Sequence, residues 1–477
     1  LGWEAWRAEH VVADDEDSAK RRDWSVRYDP DIEPIVRLIE EPPLDQCVEQ
    51  LAVRLRRGLS YRQFMAALFL AGLRNGGDFG YYHCIYMIHS AHQLSLDAPI
   101  DERLMAMFGG LGVFKAWQKN RYAGDAHFGW RKKPATLPPA DKALSQYRAA
   151  MTSGDHDAAE AAMIVLVHTT GRQKLLDLLV PYTLGKGVHG WICVSNTFRI
   201  LPVIGWRHAE PALRMMARSY SGQGHWSVEW LAPRIEAARR QFGPLPRGWT
   251  DSRGDRAATL DMLAALRSCD PDTSFHFAYQ KLATGKLTTG SIWDAIHLAA
   301  GEKYWIEKGD NNELHMNTGM NALHYEFRAC VDPEVRLMTL MRAVTWMSEP
   351  WGAARNIEPS RTILHLEPAD IPALPQVAAE EILASSATDG HAVGKALAFA
   401  RQHPDSQALW QARRRLIFAK GNDAHPYKYL AAIWEDTHQV STEWRSHMFA
   451  TSLAGNTGEQ PPDSPIILRA REALRGD

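Results

Sequence analysis

Apolar positions along the chain recur at intervals of three and four, and that period predicts a succession of helices. Between Leu44 and Arg74 it runs through Val48, Leu51 and Leu55, then Phe64, Leu68 and Leu70, with Ser60 placed to cap the second of two helices. The same pattern predicts helices over 80–94, 101–119, 140–152, 156–168, 171–184, 187–204, 208–220 and 226–241. It resumes over 255–267, 288–302, 316–328 and 333–347, then over 376–386, 390–402, 404–419 and 425–436, with a last amphipathic turn or two after Ser441. Strand-like alternation is almost absent and most links are short. The expected fold is therefore all-α, a large multi-helix array of mostly antiparallel helices.

Residues 1–35 are charged and aromatic without sustained periodicity, and Glu41-Pro42-Pro43 closes the stretch, which predicts an irregular N-terminal arm over 1–43. A Pro-, Gly- and Arg-rich passage from Phe242 to Asp255 separates a helical half at 44–241 from a second at 256–477, expected to be integrated into one domain. The longest irregular stretch is expected over 349–375.

Bulk properties then remove several classes of function. Lys and Arg total 54 against 56 Asp and Glu, so no global field draws nucleic acid or an acidic membrane. The longest apolar run, Phe64 to Leu73, is about half of a membrane span. A soluble, cytoplasmic protein is expected; because the chain starts at Leu1 rather than Met, trimming upstream leaves an exported form open. Homo-oligomerisation is left open as well. Five scattered cysteines without a CxxC pair exclude a disulfide framework and a thiolate zinc site. The chain carries no HExxH, GxSxG, GxxxxGK or complete GxGxxG, and no paired Glu-x-x-His helices of a di-iron bundle.

What stands out is histidine, 20 residues of it, much of it inside apolar helical runs. The run Tyr81 to His92 holds His83, His89 and His92; at about 100° per residue the last two share a face and His83 points elsewhere. His189 opens an apolar helix that continues to Gly205, beyond which His208 and Glu210 read either as ligands or as the start of the next helix. Asp294 and His297, three apart, have the spacing by which a carboxylate orients an imidazole, and equally that of a helix-stabilising pair. His315 and His324 face opposite ways on one helix. His425 and Lys428 project together after a Gly-Asn-Asp turn; Lys428 reads either as a surface lysine or, desolvated, as a neutral amine able to act as a base or take up carbon dioxide.

Four of these places, in their order, resemble the questin-oxidase-like family, helical oxygenase-type proteins of aromatic polyketide metabolism. The resemblance is carried by Tyr82-His83, by His189 at the head of its helix, by His315-Met316-Asn317-Thr318 with Ala322, and by the turn Gly421-Asn422-Asp423-Ala424-His425 with Lys428. It touches some 80 residues between 80 and 435. What it implies is a non-haem iron enzyme with His83, His189, His315 and His425 as imidazole ligands and a carboxylated Lys428 as the anionic one. His297, His324 and His208 stand in reserve, with His297 or His324 able to replace His315. Tyr427, Tyr82 and His92 are implied candidates for proton transfer.

Neutral imidazoles with one hard anion suit iron or zinc, and five ligands leave one position for dioxygen or a substrate oxygen. The expected activity is that of a mononuclear non-haem iron oxygenase on a phenolic, quinone or polycyclic aromatic compound. The rivals are a zinc-dependent hydrolase using the carboxylated lysine, and a helical interaction scaffold with structural histidines.

Overall fold

A computed structural model describes residues 27–75, 83–119, 133–134, 136–223, 226–309, 314–349, 362–387, 391–420, 423–456, 458 and 462–476. Among these are 22 helices and no strand, and no helix long and apolar enough to cross a membrane. Helices begin where a short polar side chain satisfies a free backbone N–H. Asp155, Asp255, Asp270 and Thr288 each accept from the amide three residues on. Ser60 forms a reciprocal cap, its Oγ accepting from Gln63 N while its own N–H donates to Gln63 Oε1.

Two helices escape the periodicity, and the chain after Ser441 holds more than the expected turn or two, Arg445–Thr451 and the eleven-residue Pro465–Arg475. Glu33–Glu40 lies inside the stretch expected to be an irregular arm. Its eight residues are too few to display a period, yet Val36 and Ile39 are fully buried. Arg74, on the neighbouring helix Tyr61–Asn75, clamps both ends through Glu33 at 2.8 Å and Glu40 at 2.7 Å. The arm is thus corrected to end before this helix as far as the described residues reach. Pro271–Ala283 is the second, started by the Asp270 cap and packed on Pro333–Ser348. Of the irregular stretch expected over 349–375, residues 350–361 lie outside those described, and Ile363–His365 forms a 3-10 turn.

Five helices build the regions of interest: α1 (His83–Ser95), α2 (Val188–Ile204), α3 (Thr289–Ile306), α4 (Leu314–Ala329) and α5 (Ala424–Gln439). Helix α1 packs on α2 and α5, and α4 packs on the same two, which closes a ring of four; α3 lies against α4. Each half of the chain thus supplies two members of the ring.

The expectation of antiparallel neighbours suits sequence hairpins such as Ala140–Ser153 with His156–Thr169, joined by Gly154 and Asp155. It does not describe the centre. His189, His315 and His425 meet near the starts of α2, α4 and α5, and further along the same helices Arg199 reaches Asn321 and Glu435. These three therefore run in one direction. The long excursions between them return the chain to the same end each time, which short-loop reasoning does not anticipate.

Close approach of α2 and α4 depends on Gly319: a Cβ there would sit 3.2 Å from Val188 Cβ and 3.5 Å from the Trp191 ring. Gly319 is one turn beyond His315, so the same bare patch brings His315 toward His189. Trp191 is fully buried, donates to Thr183 O at 3.0 Å and meets Trp346 edge-on at 5.1 Å. Such an aromatic pair contributes about 0.5–1.5 kcal/mol beyond its area.

Candidate metal centre

His189, His315 and His425 each stand second in their helices, α2, α4 and α5. The ring centres of His189 and His315 are 4.9 Å apart and those of His315 and His425 5.2 Å apart. Imidazoles sharing one ion through nitrogens at about 2.1 Å have centres roughly 4.5–5.5 Å apart, so this spacing is compatible with a common ligand. Three helix starts also bring partial positive charge to one place, which disfavours imidazolium and attracts an anion. Burial, with the charges of Lys428 and His425 adding to it, holds His189 down at about 4. At neutral pH it is a lone-pair donor.

His425 is oriented from behind. Its Nδ1 lies 2.7 Å from Asp423 Oδ2, and a proton on Nδ1 leaves Nε2 as the donor. Burial is the largest single influence on the Asp423 carboxyl and would raise it, but the hydrogen bond and charge of His425 together with the backbone amides of Ala424 and His425 outweigh it, and the group lies below its usual range.

Lys428, one turn beyond His425, is 2% exposed, which overturns its reading as a surface lysine. Among the described residues its Nζ has no hydrogen-bond partner. It sits 5.7 Å over the ring of Tyr86, whose centre is 6.4 Å from that of His189. Burial pushes the ammonium down to about 7, against the pull of Asp423 in the other direction. A large share of the amine is therefore neutral at physiological pH, the form that reacts with carbon dioxide.

A small cavity lined by Lys428, His89, Asn196, Arg199 and Asn321 adjoins a cleft of about 570 Å³, with which it shares His89, Gln93 and Arg199. The cleft walls include His89, His92, Phe198 and Tyr325, with Arg199 and Glu435 at its floor. Arg199 donates to Glu435 Oε2 at 2.5 Å and to Asn321 Oδ1 at 3.0 Å, and its guanidinium covers the Tyr325 ring at 4.3 Å. The neck between cleft and cavity is thus lined by His89 and a fixed Arg199.

The remaining candidates divide. Tyr82 and the side chain of His83 lie outside the described residues. His89 and His92 share a face, as their spacing predicts, and both line the cleft; the His92 ring is 3.4 Å from the Tyr61 hydroxyl. Tyr427 is corrected from proton transfer to packing, because its hydroxyl donates to Ile417 O at 3.3 Å and its ring stacks on Phe418. His208 is buried at the 3-10 turn Trp206–His208, beside Arg207, Asp29 and Asp31, and does not join the cluster. Glu210 is engaged by Lys133 at 2.6 Å and His168 at 2.7 Å.

His297 and His324 do not replace His315, since they pair with each other at 2.9 Å between His297 Nε2 and His324 Nδ1. The carboxylate facing His297 Nδ1 is Asp436 at 3.4 Å, whereas Asp294, three residues away on α3, accepts from Ser441 N and Oγ. The Asp294–His297 spacing is therefore corrected: helix register brings two residues to one face, but a better donor on another segment captures the carboxylate. Sequence reasoning missed Arg199, Glu435, Asn321, Asp423 and Asp436. Arg199 was detectable as the one charged residue in α2; the others sit in polar surroundings that mark nothing.

Among the described residues no group of three or more His, Cys, Asp or Glu side chains meets the requirements for holding an ion by itself. The donor chemistry nevertheless fits a divalent first-row metal: three imidazoles, at least one held neutral, beside a buried amine with no hydrogen-bond partner that could become an anionic oxygen donor. Compared with models of protein families, with curated proteins and with solved structures, the chain matches none.

Proposed function

We propose that this protein is a metal-dependent oxidoreductase, a mononuclear non-haem iron oxygenase acting on phenolic, quinone or polycyclic aromatic compounds. The observation that carries the reading is Lys428, a buried amine without a hydrogen-bond partner among the described residues, placed beside three helix-opening histidines. His189, His315 and His425 would hold the ion, with Lys428 as its carbamate and His83 as a fourth imidazole. The ammonium first loses one proton, and the neutral amine nitrogen then joins the carbon of carbon dioxide and releases a second, turning a cation that burial penalises into an anion that a metal would neutralise. The bound metal supplies a site for dioxygen activation.

The residues around it have separate tasks. Asp423 fixes the His425 tautomer. Phe198 and Tyr325 offer aromatic walls for a planar substrate in a cleft of about 570 Å³, within the usual range for small-molecule sites. Arg199, anchored by Glu435 and Asn321, presents a cation at the neck where a phenolate or quinone oxygen would arrive, and His89 beside it can exchange a proton.

The test is elemental analysis and dioxygen uptake on protein purified anaerobically with bicarbonate. Stoichiometric iron, lost in Lys428→Ala, together with dioxygen consumption driven by a polyhydroxylated anthraquinone, is expected. Stoichiometric zinc with no iron and no dioxygen uptake overturns the oxygenase reading.

A further inference from the structure

On the opposite side of α4 lies a second cleft, of about 700 Å³, that shares no residue with the one beside Lys428. Its lining includes His324, His297 and Trp293. His324 stacks on Trp293 with ring centres 4.2 Å apart and planes 9° from parallel. Behind it, His324 Nδ1 lies 2.9 Å from His297 Nε2, and His297 Nδ1 lies 3.4 Å from Asp436 Oδ2. Asp436 is held by Asn321, which donates to its other oxygen at 2.7 Å. Both His297 Nδ1 and Asp436 Oδ2 are buried and without a hydrogen-bond partner among the described residues, so a slight closing of that gap would satisfy the two together.

We propose that this cleft is a second site, in which His324, backed by His297 and Asp436, serves as general base and general acid toward an aromatic ligand carrying or acquiring negative charge. Only one hydrogen fits between two imidazole nitrogens, which ties the tautomers together. With Asp436 ionised, His297 carries its proton on Nδ1 and His324 carries its own on Nδ1, leaving the His324 Nε2 lone pair for the ligand. When Nε2 takes a proton from the ligand, the Nδ1 proton of His324 passes to His297 Nε2 and the Nδ1 proton of His297 passes to Asp436. The ligand loses one proton, Asp436 gains one, and both imidazoles end neutral. The reverse sequence delivers a proton. Burial favours these neutral forms, because it holds both histidines below their usual range and lifts the Asp436 carboxyl.

The ligand class follows from the walls. Trp293 and Phe327 supply aromatic faces, and four arginines, Arg253, Arg328, Arg336 and Arg445, border the cleft. Against them stand Asp251, 3.5 Å from Arg336, and Asp294, bound to Ser441. The balance is cationic, as an aromatic carboxylate or phenolate would require.

The probe is 5-nitrobenzisoxazole, tested with the full chain. A base removes its ring C–H proton, the C–H pair forms the nitrile, the N–O bond breaks, and a coloured nitrophenolate leaves. Saturable acceleration over buffer at the same pH is expected, competed by benzoate and reduced about a hundredfold by His324→Gln. Because that variant could unfold, which circular dichroism would reveal, Arg328→Glu at the exposed rim gives a second reading: about threefold weaker benzoate competition is expected. No acceleration, a rate that survives in folded His324→Gln, a rate that disappears only in Lys428→Met, or benzoate competition indifferent to Arg328→Glu overturns the proposal.

Discussion

Helix α4 carries a histidine toward each of two regions. His315 faces α2 and α5, where three imidazoles lie close together and a buried amine stands one turn beyond His425; His324 faces α3, where two imidazoles pair and a carboxylate backs them. The second group is buried throughout, whereas in the first Lys428 is buried and the three histidines are half-buried. The two groups differ in what is left over. In the second group the two imidazoles share one hydrogen bond at 2.9 Å, and His297 Nδ1 and Asp436 Oδ2, though not bonded, face each other across 3.4 Å as donor and acceptor. In the first, the lysine nitrogen finds no hydrogen-bond partner among the described residues. A buried cation without a partner is costly, which is the physical ground for the proposed carbamate. The comparison teaches that the number of histidines does not tell the two regions apart; what stands beside them does, a buried amine in the first and a buried carboxylate in the second.

The contrast breaks most sharply in metal content. His315→Ala is expected to reduce bound metal by on the order of a hundredfold, whereas His324→Ala leaves it at the wild-type level, both read by elemental analysis. Equal losses in the two variants would merge the regions into one site.

Protonation tests the burial of the second pair next, with His189 of the first region adding in the same direction. His297 is held at about 4 and His324 well below its usual value, in both cases by burial. Between pH 6.5 and 4 the unfolded chain binds protons that the folded chain refuses, so stability is full above this window and declines as pH falls through it. The loss is on the order of a few kcal/mol, measured by urea unfolding across that range. A flat profile would place both rings in contact with water.

Removing the support behind His425 should matter less than removing a ligand. Asp423→Asn is expected to weaken metal affinity about 10- to 100-fold, by competition with a chelator, with little change in thermal stability. Filling the bare patch between α2 and α4 is the mildest intervention. Gly319→Leu is expected to destabilise by about 1–3 kcal/mol in urea and to lower metal content by separating His189 from His315, while leaving the His297–His324 pair intact.

Helical periodicity, a property of near neighbours, was legible for most of the chain, though not at Glu33–Glu40 or Pro271–Ala283. So were Ser60 as a cap, the shared face of His89 and His92, the divergence of His315 and His324, and His189 at the head of its helix. These follow from 100° per residue and from backbone amides that need acceptors. The short helix Glu33–Glu40 was hidden because eight residues show no period, and its stability comes from Arg74, far along the chain.

The sequence by itself thus determined an all-helical chain and which residues begin or share the faces of its helices. Only the tertiary structure decided that α2, α4 and α5 run the same way, that Lys428 is buried, that Asp436 rather than Asp294 faces His297, and that Arg199 stands at the neck of the cleft. The physical reason is that burial and partner choice are settled by competition among groups distant in sequence. A carboxylate takes the best donor that packing brings within reach, and a lysine is desolvated only when four helices close around it.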